Sequence, residues 1–122
     1  MKDKAMRSDN ILQQKSKAFA VRIVRLYQYL AKEKRETILS KQLLRSGTSV
    51  GANIHEGIYG QSKRDFTAKL SIALKEAVET EYWLELLVET EYLTREQYAS
   101  IQQDCGELAR LLTAIVKTSR EE

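Results

Sequence analysis

Two stretches of this chain place apolar or small residues at alternating steps of three and four. Leu70, Ala73, Ala77, Thr80, Leu84 and Leu87 make the first, and Tyr98, Ile101, Cys105, Leu108, Leu112 and Ile115 make the second. That alternation keeps six side chains on one face of an α-helix, and two such faces pack at a crossing angle near 20°. A strand would need period two, so the second half of the chain is committed to helix. Composition agrees: there is no proline, and 30% of the 122 residues are charged. The length fits one domain with a modest core. No apolar run approaches the roughly 18 residues of a spanning helix, and the N-terminus lacks a hydrophobic signal core. A cytoplasmic protein without a membrane partner is therefore expected. Cys105 is the one cysteine, which excludes an internal disulfide, and its seam position reads as a small core side chain.

The first half reads as two more helices. Residues 1–10 are polar and basic without periodicity, as in a loose arm, with Asp9 or Asn10 available to cap a helix over 11–32. In that helix Phe19, Ile23, Leu26 and Leu30 form one stripe. Ala20, Val24, Tyr27 and Ala31 form a second, so the helix should be covered on two sides. A short charged connector leads to a helix over 35–59, ended where Gly60 could turn left-handed. Ser62 with Asp65 opens a helix over 63–91, and Thr94 with Gln97 opens another over 95–118. Short links between four amphipathic helices give an all-α, up-down-up-down antiparallel four-helix bundle.

The central helix carries an unusual feature. Leu39, Leu43, Val50, Ile54 and Ile58 share a face, with Ser46 and Gly47 filling the missing turn. Gly47 and Gly51 lie four apart, and a mid-helix glycine costs about 1 kcal/mol relative to alanine. Close approach of a second helix would offset that cost. Arg45, Ser49, Asn53 and Glu56 form a polar row at the same spacing, either a solvated face or a seam inside an assembly. The rival reading, a phosphate-binding glycine loop, is not expected here, because no Gly-Lys-Ser/Thr follows and no strand precedes.

Chemistry of the catalytic kind is missing. His55 is the one histidine, so neither a zinc pair nor the Glu-x-x-His motifs of a di-iron bundle exist. No cofactor or metal is expected, and no enzyme. The run Glu76, Glu79, Glu81, Glu85 and Glu89 reads as a solvated face, with Glu79 or Glu81 available to a basic residue of a neighbouring helix. Charge is divided along the chain. Residues 1–75 hold sixteen Lys and Arg against six Asp and Glu, a net +10, while residues 76–122 hold four against eleven, a net −7. The asymmetry fits a basic surface for a polyanion, complementary surfaces between subunits, or antiparallel helices that neutralise one another within the monomer. Lys15, Arg22, Arg25 and Lys32 lie along one edge of the first helix and are the candidate nucleic-acid contacts. Ile72, Trp83 and Leu86 form an apolar line beyond what one core requires, and are the candidate subunit interface.

The run from Gln42 to Gly57, with its Ser-Val-x-x-Asn-Ile-x-Glu-Gly core, resembles the signature of the 23S ribosomal RNA intervening-sequence protein family. The similarity continues through Ser62 to Phe66, Ile72-Ala73 and Glu79-x-Glu81. His55 stands where the family usually has a small residue. The resemblance implies a four-helix bundle assembled as a ring-like homopentamer, without catalytic residues. Some members are encoded inside ribosomal RNA genes. Related proteins serve as accessory factors of diversity-generating retroelements, where a basic surface engages nucleic acid and a reverse transcriptase. Gly47, Gly51, Asn53 and Glu56 match signature positions and are read as structural. The expected function is a non-enzymatic, RNA-associated accessory protein that acts as an oligomer and binds RNA or DNA non-specifically. The alternative is a scaffold that recruits an acidic protein partner. No aromatic stacking platform stands out, so binding should be mainly electrostatic.

Overall fold

The computed structural model describes residues 2–121, with side chains from residue 11 onward. Four helices follow in order: α1 (Lys2–Lys32), α2 (Leu39–Ile58), α3 (Lys63–Glu89) and α4 (Arg95–Glu121). Among the described residues successive helices pack on one another, and α1 returns to α4, the least intimate of the four contacts. Residue pairs across each contact run in opposite senses. Gly47 lies over Ile23 and Gly51 over Ser16. Arg45 meets Glu79 and Lys69 meets Glu56, Cys105 meets Ala77 and Gln102 meets Glu81, and Lys15 meets Glu107 while Arg22 meets Asp104.

The core follows the seams. All six seam residues of α3 are buried. In α4 the seam Ile101, Cys105, Leu108 and Leu112 is closed by Val116, with Tyr98 and Ile115 half-buried. Leu43, Val50 and Ile54 are buried on α2, and Leu12, Phe19, Ile23 and Leu30 on α1. The second stripe of α1 departs from expectation. Val24 remains 38% exposed and its stripe-mates only half-buried, because that face of α1 looks outward past α2. Burial pushes the Cys105 thiol up to about 12, so it stays a neutral core group.

Helix ends differ most from the sequence reading. α1 begins at Lys2, so the expected arm continues the helix backbone, and Asp9 and Asn10 are interior rather than capping. Residue 1 lies outside the described residues. The connector reaches Ile38, and Glu36 supplies the cap. Its carboxylate accepts from the amides of Ile38 (3.1 Å), Leu39 (2.9 Å) and Ser40 (2.8 Å), while the Ser40 hydroxyl donates to the Glu36 carbonyl (2.7 Å). Burial would raise the Glu36 pKa, but three amide donors outweigh it and hold the carboxyl below its ordinary range. Ser62 caps α3 by accepting from the Asp65 amide at 3.1 Å. Thr94 and Gln97 make a reciprocal box, with bonds of 2.9 and 3.1 Å.

No described glycine has positive φ, so Gly60 is not a left-handed stop. A Cβ there would sit 3.1 Å from the Gly57 carbonyl oxygen and 3.3 Å from Asp65 Cβ, so the residue serves a tight turn. The left-handed positions are Arg35 (φ 53°) and Glu91 (φ 69°). At Glu91 the helix closes as a Schellman turn: the Tyr92 amide reaches the Leu87 carbonyl at 2.9 Å, and the Glu91 amide reaches Val88 at 3.1 Å.

Candidate nucleic-acid and assembly surfaces

The glycines of α2 are contact points for two different neighbours. A Cβ on Gly47 would lie 2.8 Å from both Cγ atoms of Ile23, and one on Gly51 would lie 3.4 Å from the Ser16 carbonyl oxygen. Both approaches are to α1. Gly57 instead faces α3, where a Cβ would lie 2.7 Å from Leu70 Cδ1. The polar row beside them is a ladder of local bonds tied at each end to α3. Ser49 donates to the Arg45 carbonyl (2.6 Å), and the Asn53 amide to the Ser49 carbonyl (2.8 Å). Glu56 receives the Lys69 ammonium at 3.0 Å.

At the other end of this row Arg45 joins two acids of α3. It pairs with Glu79, which also accepts from the Trp83 indole N–H at 2.9 Å. The indole bond and then the guanidinium hold the Glu79 carboxyl below its ordinary range. Arg45 Nη1 lies 3.4 Å from Glu76 Oε1 and 3.3 Å from Oε2. Only the first has hydrogen-bond geometry, which leaves the buried Oε2 without a hydrogen-bond partner. Inside, the Thr80 hydroxyl bonds Ser46 Oγ at 2.9 Å, a buried polar contact between α2 and α3 that periodicity alone treats as apolar seam.

The four basic residues on α1 do not share one environment. Lys15 is held by Glu107 at 3.0 Å. Arg22 donates to Asp104 (2.7 Å), the Ser100 carbonyl (3.2 Å) and the Ser100 hydroxyl (3.0 Å). These pairs are over 40% exposed on both partners and add little stability, but they neutralise charge on that edge. Arg25 and Lys32 are exposed and pair with no acid among the described residues. Arg25 stands with Arg22 over a groove between α1 and α4 of about 630 Å³, floored by Leu26, Tyr29, Leu93 and Ile101.

The apolar line on α3 is also uneven. Ile72 is 42% exposed, whereas Trp83 and Leu86 are half-buried and Trp83 packs on the core. Val78 (54% exposed) and Tyr82 (56%) are further exposed apolar side chains of α3. Tyr82 meets Trp83 edge to face at 5.0 Å. Among the described residues no cluster of three His, Cys, Asp or Glu could hold a metal ion, and no helix is long and apolar enough to cross a membrane.

The glycine contacts and polar ladder fall in the segment that carries the signature. The family sequence model described as 23S rRNA-intervening sequence protein matches residues 8–114, nearly the whole bundle. The chain belongs to that family. A crystal structure from Bacteroides thetaiotaomicron VPI-5482, described as a protein of unknown function from the S23 ribosomal protein family, is 60% identical with a TM-score of 0.89. The match covers 90% of this chain and 98% of that one. No curated protein matches. Family membership thus extends across all four helices of this chain, including both surfaces described above.

Proposed function

We propose that this family member is a cytoplasmic, non-enzymatic, RNA-associated accessory protein. In this reading an up-down-up-down bundle assembles into a homo-oligomeric ring, a pentamer as the resemblance implies, and binds nucleic acid through a basic surface. The observation that carries it is the family match over residues 8–114, whose description ties the family to 23S rRNA. The net +10 of residues 1–75 supports it. With Lys15 and Arg22 engaged by α4, Arg25 and Lys32 are the more open of the four candidate cations. A ring would repeat them, and repeated weak contacts act multivalently on one polyanion.

The test is retention of RNA and DNA across a salt series. Binding should be measurable at low salt, with log affinity falling, for each tenfold rise in salt, by roughly 0.7 per neutralised phosphate on single strands and roughly 0.9 on duplex DNA. Arg25→Glu with Lys32→Glu should keep the fold and lose most of the binding. Wild-type protein that retains neither RNA nor DNA at low salt would falsify the reading and leave the scaffold for an acidic partner, a reverse transcriptase or another protein.

A further inference from the structure

The last turn of α2 and the residue that caps it carry two rings that the core does not use. Tyr59 is 73% exposed, and His55, one turn earlier and also exposed, lies 4.9 Å from it at 49°. His55 also lines a groove of about 590 Å³ between α1 and α2. Gln13, Gln14, Lys17 and Thr48 share its walls. The one acid there, Glu56, is engaged by Lys69 at 3.0 Å. The groove lies wholly within the part of the chain that carries a net +10.

A ligand for this place needs a flat face for the rings, an edge with both donors and acceptors for the amides, and nearby negative charge. An unpaired base on a sugar-phosphate strand has all three, whereas the base faces of a duplex are hidden in its stack. We propose that the His55–Tyr59 pair and the adjoining α1–α2 groove form a stacking site for an unpaired nucleobase of single-stranded nucleic acid. This site rests on the nucleic-acid reading above and adds to it a component that salt does not screen.

The experiment uses fluorescence anisotropy with two probes of equal length, a fluorescein-labelled single-stranded oligouridylate and an abasic oligomer on the same backbone. Wild-type protein should hold the oligouridylate more tightly. Tyr59→Ala should lose roughly 5- to 150-fold on that strand, the range of one base–aromatic stack, and bind both probes alike. Its salt slope should stay that of wild type, because phosphate contacts are untouched. Tyr59→Phe should keep the preference, and His55→Ala should weaken it. Equal wild-type affinity for the two probes, or unchanged binding by Tyr59→Ala, overturns the stacking site while leaving electrostatic binding intact. Wild-type protein that binds neither probe overturns the nucleic-acid reading itself. Circular dichroism checks that the exposed substitutions leave the helices formed.

Discussion

At the scale of single residues, the two glycines that look alike in sequence are under different constraints. Gly47 is fully buried against the branched side chain of Ile23, with both Cγ atoms at 2.8 Å from a notional Cβ. Those atoms sit close to the α1 backbone and cannot swing away. Gly51 would place its Cβ 3.4 Å from the Ser16 carbonyl oxygen, an ordinary contact. Alanine gains about 1 kcal/mol of helix propensity at either site, while overpacking costs about 1–3 kcal/mol. Gly47→Ala should therefore lower the melting temperature and Gly51→Ala should raise it or leave it unchanged. Thermal circular dichroism on the two variants reads the difference directly, and equal shifts would remove the distinction.

At the scale of elements, the start of α2 depends on a residue upstream of its first turn. Glu36 bonds three successive amides that would otherwise lack partners at the helix N-terminus. Its negative charge also suits the positive end of the helix dipole. Glu36→Ala should cost about 0.5–2 kcal/mol near neutral pH, as for other lost caps. Because the folded carboxyl titrates below its ordinary value of 4.5, its contribution is present above that value and is lost as pH falls through the folded pKa. The stability gap between wild type and variant, measured by urea unfolding, should accordingly narrow below about pH 4.5. A gap that stays constant with pH would place the loss in packing and not in the cap.

At the scale of the whole molecule, the surface of α3 has more apolar area than this bundle buries. Ile72, Val78 and Tyr82 stand between 42% and 56% exposed on its outer side. Trp83 is a poorer probe of assembly than its sequence position implies. A glutamate there would remove the bond to Glu79 and set two carboxylates side by side on one helix. Ile72→Glu disturbs no such network. In light scattering, Ile72→Glu should give a smaller species that keeps its helicity and melts cooperatively. An assembly of unchanged mass would assign this face to some other contact.

Periodicity alone was enough to place the α3 seam and most of the α4 seam, since a side chain's face on a helix depends only on spacing. The cap at Ser62 and the reciprocal box at Thr94 were legible for a similar reason: their bonding partners lie three residues away. The Glu36 cap was not legible, because its reach depends on the left-handed turn at Arg35. Nor were the partners of Lys15 and Arg22, which lie on α4 and become neighbours only when α1 and α4 close the bundle. The Gln-lined groove beside His55 has the same origin, since α1 and α2 each supply one wall. Sequence determined the inward seams of α3 and most of α4, and one of the two stripes read on α1. Tertiary structure decided which outward charges and rings meet, because those contacts depend on the register between helices, and spacing within one helix carries no record of it.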